Sequence, residues 1–176
     1  MGGGKPLRFL KGRTLIEHAV SLARNWSEEV AVAVRDARQV GDVGAPLILD
    51  RKNIPGPLGG LVAAMEWASD NGYDRVLTIP CDAPCLPADL ADRLSRALTP
   101  GCGAAVAMSG SRAHPTCALW RTDALAEATQ LARGGRRSLR GLANSVHCTH
   151  VEWPTVAGAF MNLNTPADLA LAESAS

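Results

Sequence analysis

The chain has 176 residues, 47% of them hydrophobic and 20% charged, with 18 Lys plus Arg against 17 Asp plus Glu. That length suits one domain burying roughly 70% of its unfolded surface, and the composition excludes collagen, coiled coil and disorder. A formal charge of +1 lacks the basic footprint of a nucleic-acid binder, and no apolar run approaches the ~18 residues of a membrane helix.

The predicted elements alternate between helical and strand periodicity. Thr14 caps a helix through about Asn25, with Leu15, Ile16, Ala19, Leu22 and Ala23 on its apolar side. Segments 30–34 (VAVAV) and 46–50 (PLILD) are short, apolar and flanked by polar or Gly residues, the pattern of buried strands. A helix runs from about Leu58 to Asp70 and stops at Asn71-Gly72, and segment 75–79 (RVLTI) is a further buried strand. Pro87 opens a helix through about Leu98, where a proline's missing N–H costs nothing. Strands follow at 104–108 and 116–120, helices near 123–132 and 138–144, strands at 147–153 and 159–163, and a last helix from about Pro166. This alternation predicts a three-layer α/β sandwich with a largely parallel sheet and no internal linker.

Seven aromatic residues (four Trp, two Phe and one Tyr) leave a core of Ala, Val and Leu, suited to close helix-on-sheet packing. The five cysteines are odd in number and form no C-x-x-C pair, which points to a reducing, cytoplasmic setting. The amino end lacks the apolar run of a secretion signal. His147, Cys148 and His150 lie close together, but with no second ligand pair they read as alternating positions of a strand.

Ligands of open α/β sheets bind beyond the carboxyl ends of the strands, which directs attention to the loops there. Gly2-Gly3-Gly4-Lys5 offers backbone N–H groups and an ammonium to phosphate oxygens; the other reading is a flexible start, since Pro6 departs from a Walker A loop. Asp82 in Pro80-Cys81-Asp82-Ala83-Pro84 and Asp50 both stand at strand ends. One such carboxylate suits Mg²⁺ against substrate phosphates and the other a base or ribose, although Asp also caps loops routinely. Gly59 and Gly60 cost ~1 kcal/mol each in a helix, so they admit either a ligand or a tightly packed backbone. Arg133, Arg136, Arg137 and Arg140 suit phosphate oxygens or a solvated helix face. Asn162 and Asn164 flank a strand end, as ligand-binding amides or as helix caps before Thr165-Pro166.

Taken together, these segments resemble the molybdenum cofactor guanylyltransferase family of Rossmann-like nucleotidyltransferases. The resemblance rests on Gly-Gly-Gly-Lys-Pro-Leu (2–7) with Gly-Arg-Thr-Leu-Ile-Glu-His (12–18), Pro-Gly-Pro-Leu-Gly-Gly-Leu (55–61), Pro-Cys-Asp-Ala-Pro (80–84), His-Pro-Thr (114–116) and Asn-Leu-Asn-Thr-Pro (162–166). It implies one nucleotidyltransferase domain over 1–176 that moves GMP from GTP to the terminal phosphate of molybdenum cofactor, releasing pyrophosphate. By position it implies that Gly2, Gly3 and Lys5 hold the GTP phosphates, Asp82 binds Mg²⁺ and Asp50 contacts the guanosine. Arg136, Arg137, Asn162 and Asn164 match the side that takes the cofactor substrate. It also implies transient contacts with proteins that handle molybdenum cofactor.

The chain departs from the family's pattern at three places. It shows neither the opening strand nor the Leu-Ala-Gly-Gly turn, which makes it amino-terminally incomplete relative to that pattern. Gly4 stands where an acidic residue often precedes the lysine, and Ala33 or Arg35 where an asparagine often follows the second strand. Two further readings accompany these departures: a cytidylyltransferase acting on the same cofactor, and a non-catalytic nucleotide- or cofactor-binding delivery protein.

Overall fold

The computed structural model describes residues 4–154 and 159–174. The chain opens with one 3₁₀ turn (Lys5–Leu7) and a two-residue hairpin, β1 (Phe9–Leu10) and β2 (Arg13–Thr14), turned at Lys11 and Gly12, both with positive φ. Thr14 then caps α1 (Leu15–Ala23) in a reciprocal box: its hydroxyl accepts from the Glu17 amide while the Glu17 carboxylate accepts from the Thr14 amide. Strands β3 (Val32–Val34) and β4 (Leu47–Leu49) pair in parallel. Next come α2 (Pro57–Asp70), β5 (Arg75–Thr78) and α3 (Leu90–Ala97). Strands β6 (Ala104–Ser109) and β7 (Arg112–Arg121), helices α4 (Leu125–Arg133) and α5 (Leu139–Ser145), β8 (Cys148–Trp153) and α6 (Pro166–Ser174) complete the order.

A four-stranded sheet runs β5-β7-β6-β8. β6 and β8 are parallel, whereas β7 is antiparallel to both of its neighbours, β5 and β6. Three of its four strands therefore share one direction and β7 opposes them. The expectation of a largely parallel sheet becomes a mixed one at this point, because Gly110 and Ser111 turn β6 straight back into β7 with no room for a crossover helix.

Alternate residues of the central strands feed two layers. On one face Ala104, Val106, Ala118 and Trp120 pack with Leu58, Leu61, Val62 and Met65 of α2 and with α4 and α5. On the other, Ala105, Ala107, Cys117 and Leu119 pack with Leu90 and Leu94 of α3 and with Trp153 and Phe160. Helix α1 lays Ile16 and Val20 on Val32 and Val34 of β3 as a separate cluster. The result is the expected three-layer α/β sandwich, with β3–β4 and the four-stranded sheet side by side.

Two expected elements take other forms. Residues 159–163 do not make a strand: Phe160 sits at φ 59°, a left-handed conformation that no strand residue adopts, and the Leu163 amide donates to the Asp82 carbonyl at 2.7 Å. Side-chain burial makes the stretch read apolar without a ladder. Pro87 precedes α3 instead of opening it; its carbonyl accepts from Leu90 (3.1 Å), so a single turn intervenes before Leu90 begins the helix. Among the described residues no helix is long and apolar enough to cross a membrane.

Candidate active site

The loop after β5 turns at Cys81–Asp82 and is pinned from outside by the Leu163 amide on the Asp82 carbonyl. That bond brings Asn164 beside Asp82. Lys5, on the 3₁₀ turn, meets both: its ammonium forms an ion pair with the Asp82 carboxylate and donates to Asn164 Oδ1 at 2.5 Å. Arg8 adds a contact to the Asn164 carbonyl at 3.4 Å. Three segments far apart in sequence thus converge at the carboxyl end of β5, where a parallel-type sheet places its ligands.

The Asn164 end of the cluster is fixed by a second capping box. Asp168 accepts from the amides of Asn164 (2.9 Å) and Thr165 (2.7 Å), and Thr165 Oγ1 accepts from the Asp168 amide (3.1 Å). These donated bonds hold the Asp168 carboxyl below the usual carboxylate range. Thr165-Pro166-Ala167-Asp168 carries the cap-x-x-acid spacing that signals this arrangement in sequence. Asn162 joins the cluster only through its carbonyl, which accepts from Asn164 Nδ2 at 3.4 Å.

Asp50 follows β4, its amide donating to the Val34 carbonyl at 2.8 Å. Burial pushes its carboxyl up, against the opposing pull of the Arg35 guanidinium. Beside it stands Gly60 of α2: a Cβ there would lie 3.1 Å from Asp50 Oδ1, so the glycine leaves the carboxylate its room. Gly59 answers to packing alone, since its Cβ would fall 2.1 Å from the Ile54 carbonyl oxygen. The two glycines, indistinguishable in sequence, do different things.

Arg136 and Arg137 are exposed, in the loop between α4 and α5. There the Arg137 backbone borders Gly56, whose φ of 83° forms the entry to α2. Gly2 and Gly3 lie outside the described residues. Among the described residues no group of three His, Cys, Asp or Glu side chains gathers as a metal cage. The oxygens of Asp82 and Asn164 nonetheless converge on one cationic group, the Lys5 ammonium.

His114 belongs to the His-Pro-Thr segment (114–116), whose sequence assigns it no role. Its ring stacks on Phe160 at 4.8 Å between centroids, and Nε2 shares a 2.8 Å hydrogen bond with the Ser109 hydroxyl. Phe160 in turn meets Trp153 edge-on at 5.6 Å. The stack props the 159–164 segment that carries Asn164. Burial, with Arg112 nearby, lowers the His114 pKa below 6.5. The folded state therefore favours the neutral ring, and its contribution is complete above about pH 6.5 and is lost as the pH falls toward the lowered value. Melting temperature measured from pH 7.5 down to 5.5 is expected to decline, and His114→Gln is expected to flatten that decline; parallel curves for the two proteins would rule His114 out as the cause.

The Lys5–Asp82–Asn164 cluster lies beyond the carboxyl end of β5, where open α/β sheets bind their ligands. The family model described as the MobA-like NTP transferase domain matches residues 1–149. The chain is 35% identical over 176 residues to a molybdenum cofactor guanylyltransferase of Cereibacter sphaeroides, covering 99% of this chain and 89% of that one. A protein of the same name from Rhodopseudomonas palustris is 37% identical, over 98% and 86% of the two chains. Among solved structures, molybdopterin-guanine dinucleotide biosynthesis protein A from Archaeoglobus fulgidus superposes with a TM-score of 0.75 at 21% identity, covering 96% of this chain and 88% of that one. The 2-C-methyl-D-erythritol 4-phosphate cytidylyltransferase of Thermus thermophilus gives 0.72 at 22% identity, over 98% and 93% of the chains. The chain belongs to the MobA-like NTP transferase family.

Proposed function

We propose that this chain is a guanylyltransferase that moves GMP from GTP to the terminal phosphate of molybdenum cofactor. An oxygen of that phosphate attacks the α-phosphorus of GTP in line; the new P–O bond forms as the bond to the β-phosphate oxygen breaks, and pyrophosphate leaves. Such a transfer asks a protein for positioning and charge neutralisation more than for proton transfer. The observation that carries the reading is the convergence of Lys5, Asp82 and Asn164 in a chain matched along its length by relatives of that name.

In this reading Lys5 neutralises charge on the GTP phosphates, with Gly2 and Gly3 supplying backbone donors beside it. Asp82 would hold Mg²⁺, with Asn164 as a neutral oxygen donor. One carboxylate with an amide oxygen and substrate phosphates suits that hard cation, which seldom occupies an all-protein cage. Bound there, Mg²⁺ would supply charge neutralisation to the phosphates. Asp50 accepts from the guanosine, its carboxylate kept clear by Gly60. Arg136, Arg137 and Asn162 serve the cofactor substrate, whose phosphate suits arginine's planar fork. The reaction takes place in the cytoplasm, consistent with five free cysteines, and its product passes to proteins that handle molybdenum cofactor.

Pyrophosphate release is the test, measured with molybdenum cofactor and either GTP or CTP in the presence of Mg²⁺. Release is expected with GTP and at least ~10-fold less with CTP, since rejecting a base that leaves site hydrogen bonds unmade costs more than a kcal/mol. Faster release with CTP would reassign the chain to cytidylyl transfer. Cofactor binding with no release from any nucleotide would make it a delivery protein.

A further inference from the structure

Strands β3 and β4 end side by side, and the residues just past their ends are Arg35 and Asp50. The pairing of Val34 with Leu49 sets these two one step beyond the last rung, which the Asp50 amide closes on the Val34 carbonyl at 2.8 Å. Val32 and Val34 pack with Ile16 and Val20 of α1, so strand alternation turns Arg35 and Asp50 to the opposite face. Gly60 of α2 stands on that face, beside Asp50. Parallel neighbours lie about 5 Å apart, which makes Arg35 and Asp50 adjacent groups of opposite charge at the carboxyl end of β3–β4.

The fold itself uses neither side chain. Among the described residues the Asp50 carboxylate accepts no hydrogen bond and forms no ion pair, although it is half-buried and burial pushes its pKa up. A desolvated carboxylate without donors is unfavourable, so a ligand that supplies donors completes the site. Arg35 is exposed, and among the described residues its guanidinium has no bonded partner, not even Asp50, whose charge it feels. Arg38, three residues on, shows the opposite case: its Nε donates to Asp36 Oδ1 at 3.0 Å and Oδ2 at 3.2 Å. The turn that presents Arg35 is nonetheless held, because the Arg35 and Asp36 amides both donate to Gln39 Oε1, at 2.8 and 3.1 Å.

A carboxylate beside a guanidinium complements one particular base edge. Guanine sets two donors, N1–H and the 2-amino group, next to two acceptors, O6 and N7. A carboxylate accepts from the first pair, and arginine's fork donates to the second. Cytosine has no N7, and adenine carries an amino donor in place of O6. A phosphate at Arg35 would face the neighbouring Asp50 carboxylate as a like charge, which disfavours it. We infer that Arg35 is a specificity-determining residue, donating to guanine O6 and N7 while Asp50 accepts from N1–H and the 2-amino group. Asp50 faces the nucleoside in the guanylyl reading, on which this assignment rests; Arg35 adds the group that selects the base.

The experiment measures equilibrium binding of GTP, 7-deaza-GTP and CTP by calorimetry, to the parent and to Arg35→Met. Molybdenum cofactor is left out, so no transfer occurs. In 7-deaza-GTP a C–H replaces N7 and every other polar group remains. The parent is expected to bind it ~10-fold more weakly than GTP, the scale of losing part of a bidentate contact. Arg35→Met is expected to bind GTP and 7-deaza-GTP within about 2-fold of each other, since the two changes remove the same bond. A 7-deaza penalty of equal size in both proteins would overturn the proposal, and so would the lack of any penalty in the parent. A parent that binds GTP no more tightly than CTP would overturn it together with the guanylyl reading. The expected pattern of affinities without pyrophosphate release in the transfer assay would overturn the transfer alone and support the base selection.

Discussion

Asp82→Asn is expected to lower cofactor-dependent pyrophosphate release by about 10³-fold, the scale of losing a pre-aimed charge at a transferring phosphoryl group. The same substitution is expected to leave the fold nearly untouched. The ion pair it breaks is partly exposed, 31% at Lys5 and 13% at Asp82, and pairs of that kind contribute about 0–1 kcal/mol. What anchors the loop is the Asp82 backbone carbonyl, which accepts from Leu163 at 2.7 Å whatever the side chain. Melting temperature is thus expected to fall by no more than ~4 °C. Turnover within a few-fold of the parent would remove Asp82 from the transfer, and a collapse in melting temperature would show that it holds the fold instead.

The contrast between backbone and side chain at Asp82 also explains what the sequence could and could not disclose. Helix starts were legible where one local signal decides them: Thr14 with Glu17 three residues on caps α1, and Ser138 caps α5 through the Gly141 amide. Strands β3 to β6 were legible because short apolar runs between polar or Gly residues have few other uses. Residues 159–163 carry the same apolar pattern yet form no strand, since what buries Phe160 is the His114 ring and the Trp153 edge. Apolar patterning reports burial, and cannot say whether a ladder or a stack provides it. The reversal at Gly110 was likewise hidden: residues 112–115 (RAHP) contain a proline and look unlike a strand, but they pair with β6 as part of β7.

For the site, the sequence supplied the chemistry and the fold supplied the selection. Lys5, Asp82 and Asn164 were all candidates, and the structure gathers them. Asn162 was equally plausible by type, but it meets the cluster through its carbonyl, which accepts from Asn164 Nδ2, while Asp168 accepts from the amides of Asn164 and Thr165. Arg137 is brought to Gly56, at the entrance of α2.

Gly59 and Gly60 separate stability from function within two consecutive residues. Each would gain ~1 kcal/mol of helix propensity as alanine, so the sign of the outcome depends on what the new methyl meets. At Gly59 it meets the Ile54 carbonyl oxygen at 2.1 Å and the Arg51 carbonyl oxygen at 3.2 Å. Both are backbone, and the turn they belong to is closed by the Ile54 amide on Arg51, so the loop must shift as a whole. Gly59→Ala is expected to cost about 3 kcal/mol net or more, at the upper end of overpacking, and to lower the melting temperature by ~6–12 °C. At Gly60 the methyl meets a side chain, Asp50 Oδ1 at 3.1 Å, which can rotate aside. Gly60→Ala is therefore expected to change stability by less than ~1 kcal/mol while raising KM for GTP several-fold, because the displaced carboxylate no longer faces the nucleoside. Denaturation midpoints and GTP saturation curves on the two variants give the check. A Gly59→Ala protein as stable as the parent would mean the 51–54 turn yields freely, and an unchanged KM in Gly60→Ala would take Asp50 out of nucleotide recognition.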